Sequence, residues 1–140
     1  MPICFYLSTN RIKRIDGKKN LIERIKVLAF IECFQIGDIS IILVDDSEIL
    51  NINNKYLKHN YYTDIITFDY TKDRTISGDL YISIERVCEN AEQYNTKVND
   101  ELNRVIIHGL LHLCGYKDKT KKQASLIRKK ENYYLGLKID

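Results

Sequence analysis

NDELNRVIIHGLLHLCGYKD, residues 99–118, carries the strongest structural signal in the chain. Leu102, Val105, Ile106, Gly109, Leu110 and Leu113 recur at helical spacing and form one apolar stripe, so the stretch predicts an amphipathic helix. Asn99 is a natural N-cap, and Asp100 and Glu101 put negative charge in the first turn, where it offsets the helix dipole. His108 and His112 lie to one side of the stripe, stacked one turn apart because residues four apart share a helix face. Gly115 then predicts a left-handed exit that swings the chain, and Asp118 with it, back toward the histidines.

Two imidazoles held this way can reach one ion, as on the metal-binding helix of the zincins. A catalytic zinc takes three protein ligands and leaves a fourth position to water, and Asp118 supplies the third donor in the spacing H-x-x-x-H-x-x-G-x-x-D. The expectation is one Zn(2+) ion on His108, His112 and Asp118. The alternative is a pair of hydrogen-bonded histidines in a core helix. The chain has three histidines in all, and the remaining one, His59, stands isolated in a loop. Gly109 occupies the place where H-E-x-x-H peptidases carry the glutamate that takes a proton from water. A base must come from elsewhere in the fold, or the metal suffices by acidifying its water, or the substrate helps. RNA offers that last route through its 2′-hydroxyl, so the glycine argues against peptide hydrolysis and leaves phosphodiester hydrolysis open.

Outward from this helix the chain reads as one α+β domain over residues 1–140, with a small mixed sheet of about four strands packed with about five helices. ICFYLS suits a strand; NLIERIKVLAFIECF follows with Leu21, Ile22, Ile25, Leu28 and Ala29 on one helical face, and Gly37 marks the turn after it. DISIILVDD reads as a buried strand whose acidic end caps the helix SEILNINNKYL. DIITFDY and DLYISI are two more strands, joined by a hairpin or by a longer crossing. ERVCENAEQY is helical, and Thr120 with Gln123 forms a capping box that opens a last helix, closed by Gly136.

Hydrophobic residues make up 44% and charged residues 29% of the chain, and no apolar run is long enough to cross a bilayer. MPICFYLSTNRIKR lacks the features of a secretory signal, which points to a cytoplasmic protein. Cys4, Cys33, Cys88 and Cys114 include no C-x-x-C pair and are expected to be reduced and mostly buried. The net charge of +3 is modest. Basic residues gather nonetheless at Arg11, Lys13, Arg14, Lys18 and Lys19, and again, directly after the histidines, at Lys117, Lys119, Lys121, Lys122, Arg128, Lys129 and Lys130; such runs serve either as a solvated face or as a nucleic-acid contact.

The segment RVIIHGLLHLCGYKD resembles the signature H-G-x-L-H-L-x-G-Y-D-H of the YbeY family, matched at His108, Gly109, Leu111, His112, Leu113, Gly115 and Tyr116. TDIITF at 63–68 is similar to the family's T-D-V-L-S-F, GDLYIS at 78–83 to its G-D-I-x-I-S, and Glu101, Leu102 and Arg104 to its E-L-x-R. The resemblance implies a cytoplasmic, zinc-dependent endoribonuclease that cleaves single-stranded RNA during maturation of the small-subunit (16S) rRNA and in ribosome quality control, with small-subunit components as partners and no membrane. Two positions depart from the pattern: Lys117 and Asp118 stand where the family has Asp then His, and Leu57 stands where it has an arginine before T-D-V-L-S-F. Lys55, Lys58 and His59 are candidates to replace that arginine, and Arg104 is a further candidate RNA contact or, with Glu101, a helical ion pair. A non-catalytic assembly factor that binds rRNA or ribosomal proteins around a structural metal is the second reading, and a zinc peptidase the third.

Overall fold

The computed structural model describes residues 2–56 and 63–139. Among them the chain forms β1 (Ile3–Ser8), α1 (Lys18–Ile31), β2 (Gln35–Val44), α2 (Asp46–Tyr56), β3 (Ile65–Asp69), β4 (Thr75–Ser83), α3 (Ile84–Gln93), α4 (Val98–Leu113) and α5 (Lys121–Gly136). The sheet order is β1-β2-β4-β3, with β1 and β4 parallel to β2 and β3 antiparallel at the edge. The expected α+β domain, with a four-stranded mixed sheet and five helices, is the architecture found. No helix among the described residues is long and apolar enough to cross a membrane.

Strand alternation sorts the side chains between two faces. Ile39, Ile41 and Leu43 of β2 and Ile76, Leu80 and Ile82 of β4 face the main core, where α1, α3 and α4 cover them and α5 packs on α4 and α1. Val44 and Ile66 join Ile49 and Ile52 of α2 in a smaller cluster on the other face, edged by Ile42, Phe68 and Tyr81. Ile106, Ile107, Leu110 and Leu111 of α4 are wholly buried, and each such side chain contributes roughly 1.5–3 kcal/mol over an exposed one. The histidine helix is therefore the best-anchored helix of the fold.

β3 and β4 form a tight hairpin. Lys72 and Thr75 exchange both backbone hydrogen bonds, at 3.1 and 2.9 Å, around Asp73 and Arg74 at φ 52° and 60°; this is the two-residue turn whose twist suits paired strands. Arg74 is held there by the carbonyls of Cys33 and Glu32, at 3.1 and 2.8 Å, and lies 3.9 Å from the centre of the Phe34 ring. These contacts staple the hairpin to the end of α1.

Four local expectations are corrected. The turn after α1 is made by Cys33 at φ 66°; Gly37 lies inside β2, where a Cβ would sit 2.6 Å from Ser77 Oγ. α4 begins at Val98 with Lys97 at the N-cap, so Asn99 falls within the first turn. Gly136 is the last helical residue of α5, and the extended Leu137 ends that helix. The cysteines are not mostly buried: Cys33 and Cys88 are exposed, and Cys4 and Cys114 are half-buried. By contrast, the Thr120–Gln123 capping box forms as expected, with both reciprocal hydrogen bonds in place.

Candidate metal centre

The end of α4 assembles the site by local backbone geometry. Gly115 adopts φ 99°; its N–H donates to the His112 carbonyl at 2.9 Å, and the Tyr116 N–H donates to that of Leu111 at 3.1 Å. This paired pattern satisfies the last carbonyls of a helix while reversing the chain. Asp118 is thereby returned to the histidines, its Oδ2 lying 3.2 Å from His108 Nε2 and 3.4 Å from His112 Nε2. One ligand atom from each of the three residues lies within 4.8 Å of the others, a group that can hold a metal ion.

Each imidazole is oriented through its other nitrogen. His108 Nδ1 lies 2.7 Å from the Glu131 carboxylate and His112 Nδ1 lies 2.8 Å from the Tyr116 carbonyl. Protons on both Nδ1 atoms satisfy these acceptors and leave the Nε2 lone pairs converging, 3.0 Å apart. Two lone pairs at that distance, beside a carboxylate, require a positive charge between them: a shared proton or a cation. Burial works against charging His108, but the hydrogen bond and charge of Glu131, then the charges of Asp118 and Asp64, outweigh it and hold its pKa above the ordinary imidazole value. The donor set, two imidazole nitrogens and a carboxylate oxygen with their outer hydrogen bonds made, fits a borderline divalent ion such as zinc. Asp118 is 43% exposed, so an ion here would keep an open side, as hydrolytic sites do. Burial pushes the neighbouring Cys114 thiol up to about 12, which keeps it a neutral packing group.

Gly109 has a packing reason. A Cβ there would meet Ile65 Cδ1 at 2.8 Å and Leu80 Cδ1 and Cδ2 at 3.0 Å. Position 109 thus faces the sheet, away from the three ligand atoms. A Cβ on Gly78 would collide with the Phe68 carbonyl and come within 2.9 Å of Leu113. These two glycines let α4 lie close against β3 and β4, which fixes the depth at which the histidines emerge.

The outer support comes largely from α5. Glu131, 3% exposed, bridges His108 and Arg104, accepting from Arg104 Nη1 at 3.0 Å. Burial opposes its ionisation, but the hydrogen bond and charge of His108, then Arg104 and Arg128, hold its carboxyl below the usual range. On another side of the site, Glu32 at the end of α1 accepts from Tyr116 Oη at 2.8 Å, from Lys130 at 3.3 Å and from Tyr134 Oη. Glu32 so pins the residue whose carbonyl orients His112. Neither Glu131 nor Glu32 was singled out from sequence, where they are ordinary charges among many.

Two cavities meet at His108 and Asp118. One of about 250 Å³ lies between α4 and α5, bordered by Glu101, Arg104 and Arg128. The other, about 620 Å³, is bordered by Asn53, Thr63, His112, Lys117 and Lys119. Asp64 borders both. Of the candidate RNA contacts, Arg104 reaches this region but is engaged by Glu131 rather than by Glu101. Lys55 stands on the last turn of α2 with its ammonium 5.4 Å from the centre of the Tyr56 ring. Lys58 and His59, with Leu57, lie outside the described residues.

The chain is similar to known proteins along most of its length. The profile of the endoribonuclease YbeY family matches residues 8–137. The chain is 45% identical over 137 residues to the Endoribonuclease YbeY of Parabacteroides distasonis, an overlap of 98% of this chain and 96% of that relative. It is 54% identical over 102 residues to the Endoribonuclease YbeY of Christiangramia forsetii, covering 73% of this chain and 71% of the relative. Its fold is similar to the solution structure of TM1509 from Thermotoga maritima, with a TM-score of 0.63 and 29% identity across 94% of this chain and 86% of that one. With the family profile covering nearly the whole chain and relatives this similar along their length, the protein belongs to the endoribonuclease YbeY family.

Proposed function

We propose that the chain is a zinc-dependent endoribonuclease of single-stranded RNA, acting as one domain over residues 1–140 in the cytoplasm, in small-subunit (16S) rRNA maturation and ribosome quality control. The observation that carries this reading is the convergence of His108, His112 and Asp118, with both outer imidazole nitrogens already engaged, at the junction of two open cavities. A divalent ion held there supplies an acidified water and polarises a phosphoryl oxygen. The remaining chemistry belongs to the protein. Glu131 and the Tyr116 carbonyl hold the imidazole planes. Lys117 and Lys119, exposed on the rim of the larger cavity, attract the phosphate backbone as point charges. We assign the proton acceptor to Asp64, because it borders both cavities beside His108 while position 109 faces the sheet.

Metal content and RNA cleavage, measured together on wild type and on His112→Ala, test this function. The expected result is close to one zinc per wild-type chain, cleavage of a single-stranded RNA, and loss of both in the variant. Equal zinc content in the two proteins would overturn the metal assignment. A folded His108→Ala variant that still supported rRNA processing would replace the enzyme by a non-catalytic assembly factor.

A further inference from the structure

The smaller cavity contains a group that the metal centre does not use. Glu101, on the first turn of α4, is 7% exposed and borders this cavity. Among the described residues its carboxyl makes no hydrogen bond or ion pair; Arg104, one turn on, points to Glu131 instead. Burial raises the pKa of Glu101, with Arg104 opposing the shift and Asp64 adding to it. The Glu101 oxygens are not among the buried side-chain atoms left without a partner; they open onto the cavity, where the N–H groups of a ligand can take the place of water.

The surroundings specify the ligand. Val105 and Ile127 give the cavity two apolar walls, and Arg128, with a side chain 59% exposed, stands at its mouth. About 250 Å³ accommodates one planar heterocycle rather than a folded strand. His108 lies seven residue steps along the helix from Glu101, about 10 Å along the axis, comparable to the reach from a phosphate to the far edge of its own base. Apolar and guanidinium surfaces stack bases, while a carboxylate accepts from their N–H edges.

We propose that this cavity is a nucleobase subsite in which Glu101 reads the edge of an amino-bearing base, guanine above all, in RNA whose phosphate lies at the His108–Asp118 junction. The subsite rests on the endoribonuclease reading and adds a specificity to it. An ionised carboxylate pairs both oxygens with N1–H and N2–H of guanine. Adenine and cytosine offer one amino group beside a ring acceptor. Uracil sets its single N–H between two carbonyl oxygens that repel the carboxylate.

Fluorescence anisotropy on the metal-free protein tests this without relying on turnover, using a short oligouridine and the same oligomer carrying a single G, A or C. Wild type is expected to bind the G-containing oligomer about tenfold tighter than oligouridine, and Glu101→Gln to lose that preference. Ala124→Phe, substituted at an exposed position on the cavity wall, is expected to lose it also and guards against a folding defect in the first variant. RNA binding with no base preference in wild type, or with the same preference in Glu101→Gln, overturns the subsite alone. No RNA binding together with no cleavage overturns the endoribonuclease reading, and the subsite with it.

Discussion

His108 and His112 show how much of a candidate metal centre is decided one bond outside it. Their spacing of four was legible in sequence because it is a property of one helix. Their orientation was not, because it depends on Glu131, 23 residues away, and on the carbonyl of Tyr116, a residue held by Glu32 from 84 residues away in sequence. Outer carboxylates of this kind typically change metal affinity by about 10–100-fold. Glu131→Gln is therefore expected to weaken zinc binding at least about tenfold, as read by competition with a chromogenic chelator; an unchanged affinity would reduce Glu131 to a partner of Arg104. Glu32 gives a prediction in pH. Burial opposes its ionisation, but Tyr134, Tyr116 and Lys130 outweigh that and hold its carboxyl below the ordinary glutamate range. A depressed folded value means that the stabilisation is complete above the unfolded pKa of about 4.3 and is lost as pH falls through the folded one. Urea midpoints of wild type and Glu32→Gln should accordingly differ most above about pH 5 and converge on acidification. A gap that stayed constant with pH would show that the charge contributes nothing.

At the scale of elements, α4 is the part most completely read from sequence and Gly109 the part most usefully reinterpreted. The glycine that looked like a missing base is the contact point of a helix with Ile65 and Leu80. Restoring the peptidase residue should consequently create no peptidase. Glu at position 109 would drive a carboxylate into the core, and Gly109→Glu is expected to destabilise the fold by more than about 3 kcal/mol. Denaturant unfolding measures this, and a stable Gly109→Glu protein that hydrolyses peptides would refute the packing account. The choice between hairpin and crossing for β3 and β4 had no answer in their composition. It was resolved by Asp73 and Arg74, two non-glycine residues in left-handed conformations that depend on anchors at Glu32, Cys33 and Phe34.

Over the whole molecule the charge of +3 is less informative than its placement. Arg11 and Arg14 of the first basic cluster face Asp45, Glu85 and Asp16, whereas Lys117 and Lys119 rim the cavity that holds the histidines. If these two lysines each neutralise a phosphate, replacing both by alanine should flatten log K against log salt by about 1.4, at about 0.7 per contact for single strands. Anisotropy titrations across a salt series would read the slope, and an unchanged slope would place the RNA elsewhere. The sequence by itself determined the element types, the helix bearing His108 and His112, the left-handed turn at Gly115 and the return of Asp118, because each depends on local periodicity or on one residue's backbone preference. Only the tertiary structure decided the sheet order, the facing of Gly109 toward β3 and β4, the support from Glu131 and Glu32, and the cavity that Glu101 borders. These depend on which elements pack together, and packing joins residues whose separation in sequence carries no periodic signal.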